Sequence, residues 1–394
     1  MTDFDRELKQ RLDALRGQNL FRELRRVDSP QSPRLALGGR TLLNFSSNDY
    51  LGLANDPLLR QAAIQAIEKF GVGAGASRLI SGSLAPFHEL EEALAAFKRT
   101  EAALAFSTGY ATAIGSIGAL LGKDDIIILD KLVHASIVDA ARLSGAKIRV
   151  FAHNDLDDLE DKLKWAGSVS APSSAGRQAL IVTESIFSMD GDAAPLGEIV
   201  ELKDRYGAWL MVDEAHATGI IGAGGRGLAE KLGVSHRIEV QMGTLGKALG
   251  SSGGYICGSR ALVDLLVNRA RSFIFSTAPL PAAAAAATAA IQQVQSEAGE
   301  ARRQILRLRT TQLQAAIGNR QAAIAAAIVP LILGPEEKAV AAAARLREQN
   351  IFVPAIRYPT VARGAARLRV TLTAAHSADD VAALARALAE ILNP

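Results

Sequence analysis

The sequence predicts an α/β fold, with a large domain built on a mostly parallel sheet and a smaller α+β domain after it. Three features point that way. From about residue 100 to 275, short apolar runs alternate with amphipathic segments. The runs are four to six residues long and bounded by glycine or polar residues, which suits strands covered by helices on both faces. From residue 281 onward the alternation gives way to long Ala/Arg/Gln-rich helical stretches with a few extended pieces between them.

Taken in order, the N-terminus "MTDFDRELKQRLDALRGQ" is charged and helical in pattern, so residues 1–40 read as a helical arm. It has no apolar core of the kind a secretory signal needs. The large domain, residues 41–280, carries "DDIIILD", "AKIRVFA", "QALIVTES", "AWLMVDEAH", "RIEVQM" and "SGGYICGS" as strands. "SVSAPSSAG", between the second and third of these, reads as a surface loop. "PLPAAAAAATAAIQQVQ" is alanine-rich and soon interrupted by glutamines, short of the roughly 20 strongly apolar residues that cross a bilayer; it reads as a buried helix. The small domain, residues 281–394, continues through "AAIVPLILG", a helix "EEKAVAAAARLREQN", the extended "IFVPAIRYP", a strand "ARLRVTLTA" and a final helix. The N-terminal helix is expected to join it.

Composition removes several function classes. The 49% apolar and 22% charged residues are ordinary for a soluble globular enzyme. The 44 Lys+Arg against 41 Asp+Glu leave a charge of +3, and the basic residues are scattered without interleaved aromatics, so no nucleic-acid partner is expected. One cysteine, Cys257, forms no internal disulfide, and a cytoplasmic location follows as the expectation. The six histidines lack paired ligand spacing, so no metal is expected. Ser185 and Ser188 lie outside any G-x-S-x-G elbow. "GAGGRG", Gly222 to Gly227, and "GVGAGA" near Gly71 match dinucleotide fingerprints only formally, because neither sits directly between a strand and a helix.

In a parallel sheet, ligands bind at the carboxyl ends of the strands. The polar residues there are His134 beyond "IIILD", Ser188 beyond "ALIVT", Asp213 and His216 after "AWLMV", and Thr244 and Lys247 after "IEVQM". Singly, each has an ordinary reading. A strand-end lysine such as Lys247 in "TLGKALG" is usually a solvated charge, and the acid and histidine of "VDEAHATG" could cap a helix or pair with an arginine. Together they form a more specific set. A lysine amine makes Schiff bases, pyridoxal phosphate adds a ring that accepts carbanion electrons, and that ring nitrogen stays protonated only opposite an anion. Asp213 fits that need. "STGYATA" opens a helix near Gly109 and Tyr110, where free N–H groups and the positive dipole end attract a phosphate; an ordinary capped helix start is the plain alternative.

The segments "NFSSNDYLGL", "GASRLISGSLAPFHELEEALAAF", "STGYATA", "DKLVHASIVDAARLSGA", "TESIFSMDGDAAPL", "VDEAHATGIIGAGGRG", "TLGKALGSSGGYICGS" and "VPAIRYPTVARGAARLRVTLTAAH" resemble the α-oxoamine synthases over nearly the whole chain. These are pyridoxal-phosphate enzymes of the aspartate-aminotransferase fold type (fold type I). The resemblance implies that Lys247 carries the cofactor, Asp213 pairs with its ring nitrogen, and His216 and Ser188 contact the phenolic side. It further implies that His134 stacks on the ring and touches substrate, that Gly109 and Tyr110 give backbone contacts, and that Thr244 binds the phosphate. Ser276 and Thr277 are implied to reach the phosphate of a partner subunit in a homodimer. Arg357 is implied to clamp the amino-acid carboxylate as a bidentate fork, with Thr360 and Arg22 also at substrate; "LFRELRR" offers three arginines for the last role. The implied reaction is the decarboxylative condensation of an amino acid with an acyl thioester. L-alanine with a pimeloyl thioester, on coenzyme A or acyl carrier protein, is the leading pair. Glycine with acetyl- or succinyl-CoA and serine with a long acyl-CoA are the alternatives. A non-catalytic subunit is disfavoured because Lys247, Asp213 and His216 are all retained.

Overall fold

The structure is a computed structural model and describes residues 2–169, 178–318 and 327–392. The strands among them are β1 Arg34–Leu37, β2 Arg40–Asn44, β3 Ala102–Phe106, β4 Ile126–Asp130, β5 Lys147–Phe151, β6 Ala179–Glu184, β7 Trp209–Asp213, β8 Val240–Thr244, β9 Gly254–Gly258, β10 Ile328–Gly334, β11 Ile351–Phe352, β12 Ala355–Ile356 and β13 Ala366–Thr371. The chain divides into a larger unit, Leu51–Ser188 with Asp192–Arg303, and a smaller one, Met1–Tyr50 with Met189–Gly191 and Gln304–Pro394.

The larger unit is built on a seven-stranded sheet in the order β3-β9-β8-β7-β6-β4-β5. β8, β7, β6, β4 and β5 are parallel neighbours, with Ile127 opposite both Ile148 and Leu180. Buried β-branched and long aliphatic residues fill these strands; Ile127, Ile128, Leu180, Ile181, Val182 and Leu210 have no exposure. β9 runs antiparallel to both β8 and β3, so "SGGYICGS" is the reversed strand of a mostly parallel sheet. β3, "AALAF", is a strand the sequence reading lacks. Its alanines carry little strand preference, and burial on both sides decides the conformation instead.

The units differ from the expected divisions at residues 40 and 280. Helix Pro281–Gln295 goes with the larger unit because it packs on helices Pro57–Phe70 and Ala85–Lys98, burying Ala284, Ala287, Ala290 and Ile291. The first fifty residues go with the C-terminal segment because β2 pairs with β11. The smaller unit contains the sheets β1-β2-β11 and β10-β13-β12 and the helices Glu336–Glu348 and Ala378–Leu392. In it His376 stacks on Phe45 at 4.2 Å, accepts from the Thr373 N–H through Nδ1 and donates through Nε2 to the Asn44 carbonyl; burial pushes its pKa down to about 4. Helix Asp3–Gly17 is closed by a Thr2–Asp5 capping box and buries no residue. "SVSAPSSAG" lies for the most part outside the described residues. Among the described residues no helix is long and apolar enough to cross a membrane.

Candidate active site

Four parallel strands end on polar residues at one edge of the sheet: Asp130, Glu184, Asp213 and Thr244. The chain turns sharply after β7. There the Asp213 carboxylate accepts the Ala215 N–H at 2.9 Å and Ala217 donates to the Glu214 carbonyl, which carries His216 back over the strand end. Asp213 is buried, and burial raises its pKa, against which Lys247, the Ala215 N–H and His134 act to favour its charge.

Glu214 points the other way and is fixed by a buried cation. It accepts from Lys98 Nζ, and Lys98 also donates to the Arg226 carbonyl. The second Glu214 oxygen accepts the Ala229 N–H at 3.0 Å. Gly227, at φ +121°, leaves room for that carboxylate where any Cβ would collide with it. The formal dinucleotide pattern "GAGGRG" therefore wraps a carboxylate of this chain itself.

After β8 the chain makes the tight turn that holds Lys247, closed by Gly250 N–H donating to the Lys247 carbonyl at 2.9 Å. Gly250, at φ +63°, is needed because a Cβ would fall 2.5 Å from the backbone of Leu53. Lys247 Nζ lies 2.8 Å from His216 Nε2, so the two groups share a hydrogen bond across two loops. His134 caps helix Ala135–Ser144. Its Nδ1 accepts the Ser136 N–H at 3.2 Å, which places the proton of the neutral ring on Nε2. Burial lowers the His134 pKa, the nearby Asp213 charge opposes this and Lys247 adds to it, while the ring retains an exposed side.

Helix Gly109–Leu120 starts against β8. Thr108 caps it by accepting the Ala111 N–H, which leaves the first N–H groups at Gly109 and Tyr110 unsatisfied within the helix. A Cβ at Gly109 would lie 2.6 Å from Thr244 Cγ2, so the two are in close contact, and Thr244 Oγ1 is buried without a partner. Tyr110 donates its hydroxyl to Asp139 at 2.8 Å. Ser188 is buried in the loop after β6, its N–H donating to Glu184 at 3.2 Å. Ser276 and Thr277 line a separate small pocket with Phe106, Ser107 and Ser272.

The smaller unit gathers the remaining candidates. Arg22 donates to the Tyr358 carbonyl at 2.9 Å, and Arg26 pairs instead with Asp28. Arg357 donates through Nη1 to the Asn19 carbonyl and through Nη2 to the Phe21 carbonyl, and its buried Nε has no partner. The guanidinium expected to clamp a carboxylate thus engages two backbone carbonyls in this structure. Thr360 is exposed, with its N–H on the Arg357 carbonyl at 3.0 Å. Arg22, Arg25 and Arg357 line a cavity of about 430 Å³ with Phe21 and Phe352; burial, then Arg22 and Arg25, lower the Arg357 pKa.

The larger unit fits a flat ring bearing an aldehyde and a phosphate. Asp213 is a buried carboxylate whose charge needs a cation, Thr244 Oγ1 is a buried hydroxyl needing a partner beside a helix start, and His134 keeps one side open beside an amine. Two features escaped the sequence reading: Glu184 and the Lys98–Glu214 pair. Glu184 carried the same signal as Asp213, an acid closing an apolar run. Nothing in one sequence could mark Lys98 as the partner of a residue so far along the chain.

Comparison with known proteins identifies the family. A family described as aminotransferase class I and II matches residues 40–388. The 8-amino-7-oxononanoate synthase of Anaeromyxobacter dehalogenans is 50% identical over 97% of this chain and 94% of its own, and that of Geobacter sulfurreducens 46% identical over 98% of each. Among solved structures, serine palmitoyltransferase from S. paucimobilis with a bound PLP–myriocin aldimine superposes with a TM-score of 0.90 at 28% identity, covering 98% of this chain and 96% of that one. 8-amino-7-oxononanoate synthase from Francisella tularensis gives 0.74 at 27% identity, covering 89% and 96%.

Proposed function

The chain belongs to the aminotransferase class I and II family and, within it, to the 8-amino-7-oxononanoate synthases, and on that premise we propose that it condenses L-alanine with a pimeloyl thioester, releasing carbon dioxide and the thiol. It is a pyridoxal-phosphate-dependent C-acyltransferase. The product, 8-amino-7-oxononanoate, belongs to biotin biosynthesis, and the acyl carrier is coenzyme A or acyl carrier protein. The observation that carries the reading is the lysine amine hydrogen-bonded to a histidine beside a buried aspartate at the strand ends.

Pyridoxal phosphate, when bound, supplies an aldehyde that joins amines and a ring that accepts the electron pair left at the amino acid's Cα. The chain's residues do the rest. Lys247 would hold the aldehyde, and its amine, when free, would take the Cα proton on Nζ, with His216 Nε2 2.8 Å away. Asp213 holds the ring nitrogen in its protonated form. Thr244 and the N–H groups of Gly109 and Tyr110 hold the phosphate, and Ser188 with His216 the phenolic side. His134, with its proton on Nε2, donates toward the thioester oxygen as charge develops there. Arg357 binds the alanine carboxylate by exchanging the carbonyls of Asn19 and Phe21 for it, with Arg22 and Thr360 contacting substrate. The enzyme is a cytoplasmic homodimer in which Ser276 and Thr277 reach the partner's phosphate. The exposed Phe275 and Ile80, near the Ser77–Thr277 bridge, support such a contact.

The test is a matrix of alanine, glycine and serine against pimeloyl, acetyl, succinyl and palmitoyl thioesters. Alanine with the pimeloyl donor is expected to turn over at least about tenfold better by kcat/KM than any other pair. Preference for serine with a long acyl donor would favour the second reading, to which the high TM-score with serine palmitoyltransferase lends weight.

A further inference from the structure

Glu184 closes β6 in register with Asp213 on β7, so the two carboxylates leave adjacent strand ends together. The residue is buried, with 2% exposure. One oxygen, Oε2, accepts the Ser188 N–H at 3.2 Å; the other, Oε1, is buried with no hydrogen-bond partner. An ionised carboxylate in that position would be a desolvated charge beside a second carboxylate, which like-charge repulsion and desolvation both oppose.

We propose that Glu184 is a positioning residue that works as a neutral carboxylic acid, bracing the Ser188 turn with one oxygen and leaving the negative charge of the pair to Asp213. The inference rests on the pyridoxal-phosphate reading above, because Ser188 and Asp213 are its cofactor contacts. The groups that face Glu184 are Asp213 from β7, Lys247 from the turn after β8, the backbone N–H of His134 at its helix start, and the Ser188 N–H. Burial and then Asp213 raise its pKa, to about 8, and Lys247 and the two N–H groups only partly oppose them. A glutamine at this position would copy the shape and neutrality of the acid. An aspartate or alanine would not reach the Ser188 turn.

The experiment uses the full-length holoenzyme and its cofactor-free form, as Glu184→Gln, Glu184→Ala and unsubstituted protein. Infrared spectra of the unsubstituted protein at pH 7 are expected to contain a protonated-carboxyl stretch that Glu184→Gln removes and that pH 9.5 abolishes. Titration of the cofactor-free protein with pyridoxal phosphate is expected to give Glu184→Gln a Kd within about threefold of the unsubstituted protein, and Glu184→Ala one at least about tenfold weaker. Should Glu184→Ala fail to fold, the infrared band and the Glu184→Gln titration still decide. Absence of a Glu184-dependent band at pH 7, or a Glu184→Gln protein that binds as weakly as Glu184→Ala, overturns the inference. Failure of the cofactor reading looks different: the unsubstituted protein itself would not bind pyridoxal phosphate.

Discussion

His153 bridges two aspartates, with Nδ1 2.9 Å from Asp130 and Nε2 2.8 Å from Asp192, and its ring meets Phe187 edge-on. It therefore ties the end of β4 to the loop after β6 that carries Ser188. Burial alone would lower its pKa, but the hydrogen bonds to both aspartates outweigh this and raise it to about 10. Because the folded value lies above the unfolded value of about 6.5, its contribution to stability is complete below pH 6.5 and is lost as pH rises through 10. His153→Gln is expected to cost about 2 kcal/mol in denaturant unfolding at pH 6 and much less at pH 10.5; an equal loss at both pH values would contradict the pairing. At this scale the sequence placed Asp213 at the end of a strand and Lys247 in the turn after one, where the structure has them. It did not reveal His153, whose partners are supplied only by the folded chain. Arg357 shows the same limit, since its residue type pointed to a carboxylate while its present partners are the carbonyls of Asn19 and Phe21.

Helix Ala85–Lys98 ends in a buried lysine that meets Glu214, one residue beyond the end of β7. Lys98→Met is expected to cost about 3–5 kcal/mol because it strands the Glu214 charge, and adding Glu214→Gln should recover much of that loss. Urea unfolding of the two single variants and the double variant measures the coupling, and strict additivity would show the pair is not linked. Helix Gly109–Leu120 offers a second test through its contact with β8. Thr244→Ala removes a buried hydroxyl and is expected to weaken pyridoxal phosphate by about 10–100-fold without lowering the stability of the cofactor-free protein. Unchanged affinity would remove Thr244 from the phosphate site. The elements themselves were legible where apolar runs were β-branched, as in Ile126–Asp130. They were not where alanine dominated, as in Ala102–Phe106, because there the tertiary environment rather than local preference makes the strand.

At the scale of the molecule, the proposed homodimer predicts that catalytic sites are shared. Lys247→Ala and Thr277→Asp homodimers are each expected to lose most activity, and co-expressed mixtures to regain activity through one intact site per heterodimer. Mixtures as inactive as their parents would place both residues in one subunit's site. The change in pattern near residue 281 marked a division that the units do not follow, because helix Pro281–Gln295 packs within the larger unit, which runs on to Arg303. The return of the first fifty residues to the C-terminal unit rests on the short pairing of β2 with β11, for which the two-residue strand Ile351–Phe352 left little signal. Above all these stands the role of Lys247. Borohydride reduction of the holoenzyme, followed by proteolysis and mass spectrometry, should find the pyridoxyl group on the peptide containing Lys247, and Lys247→Ala should yield no labelled peptide and no turnover. A label on any other lysine, or none in the active unsubstituted protein, would contradict the account.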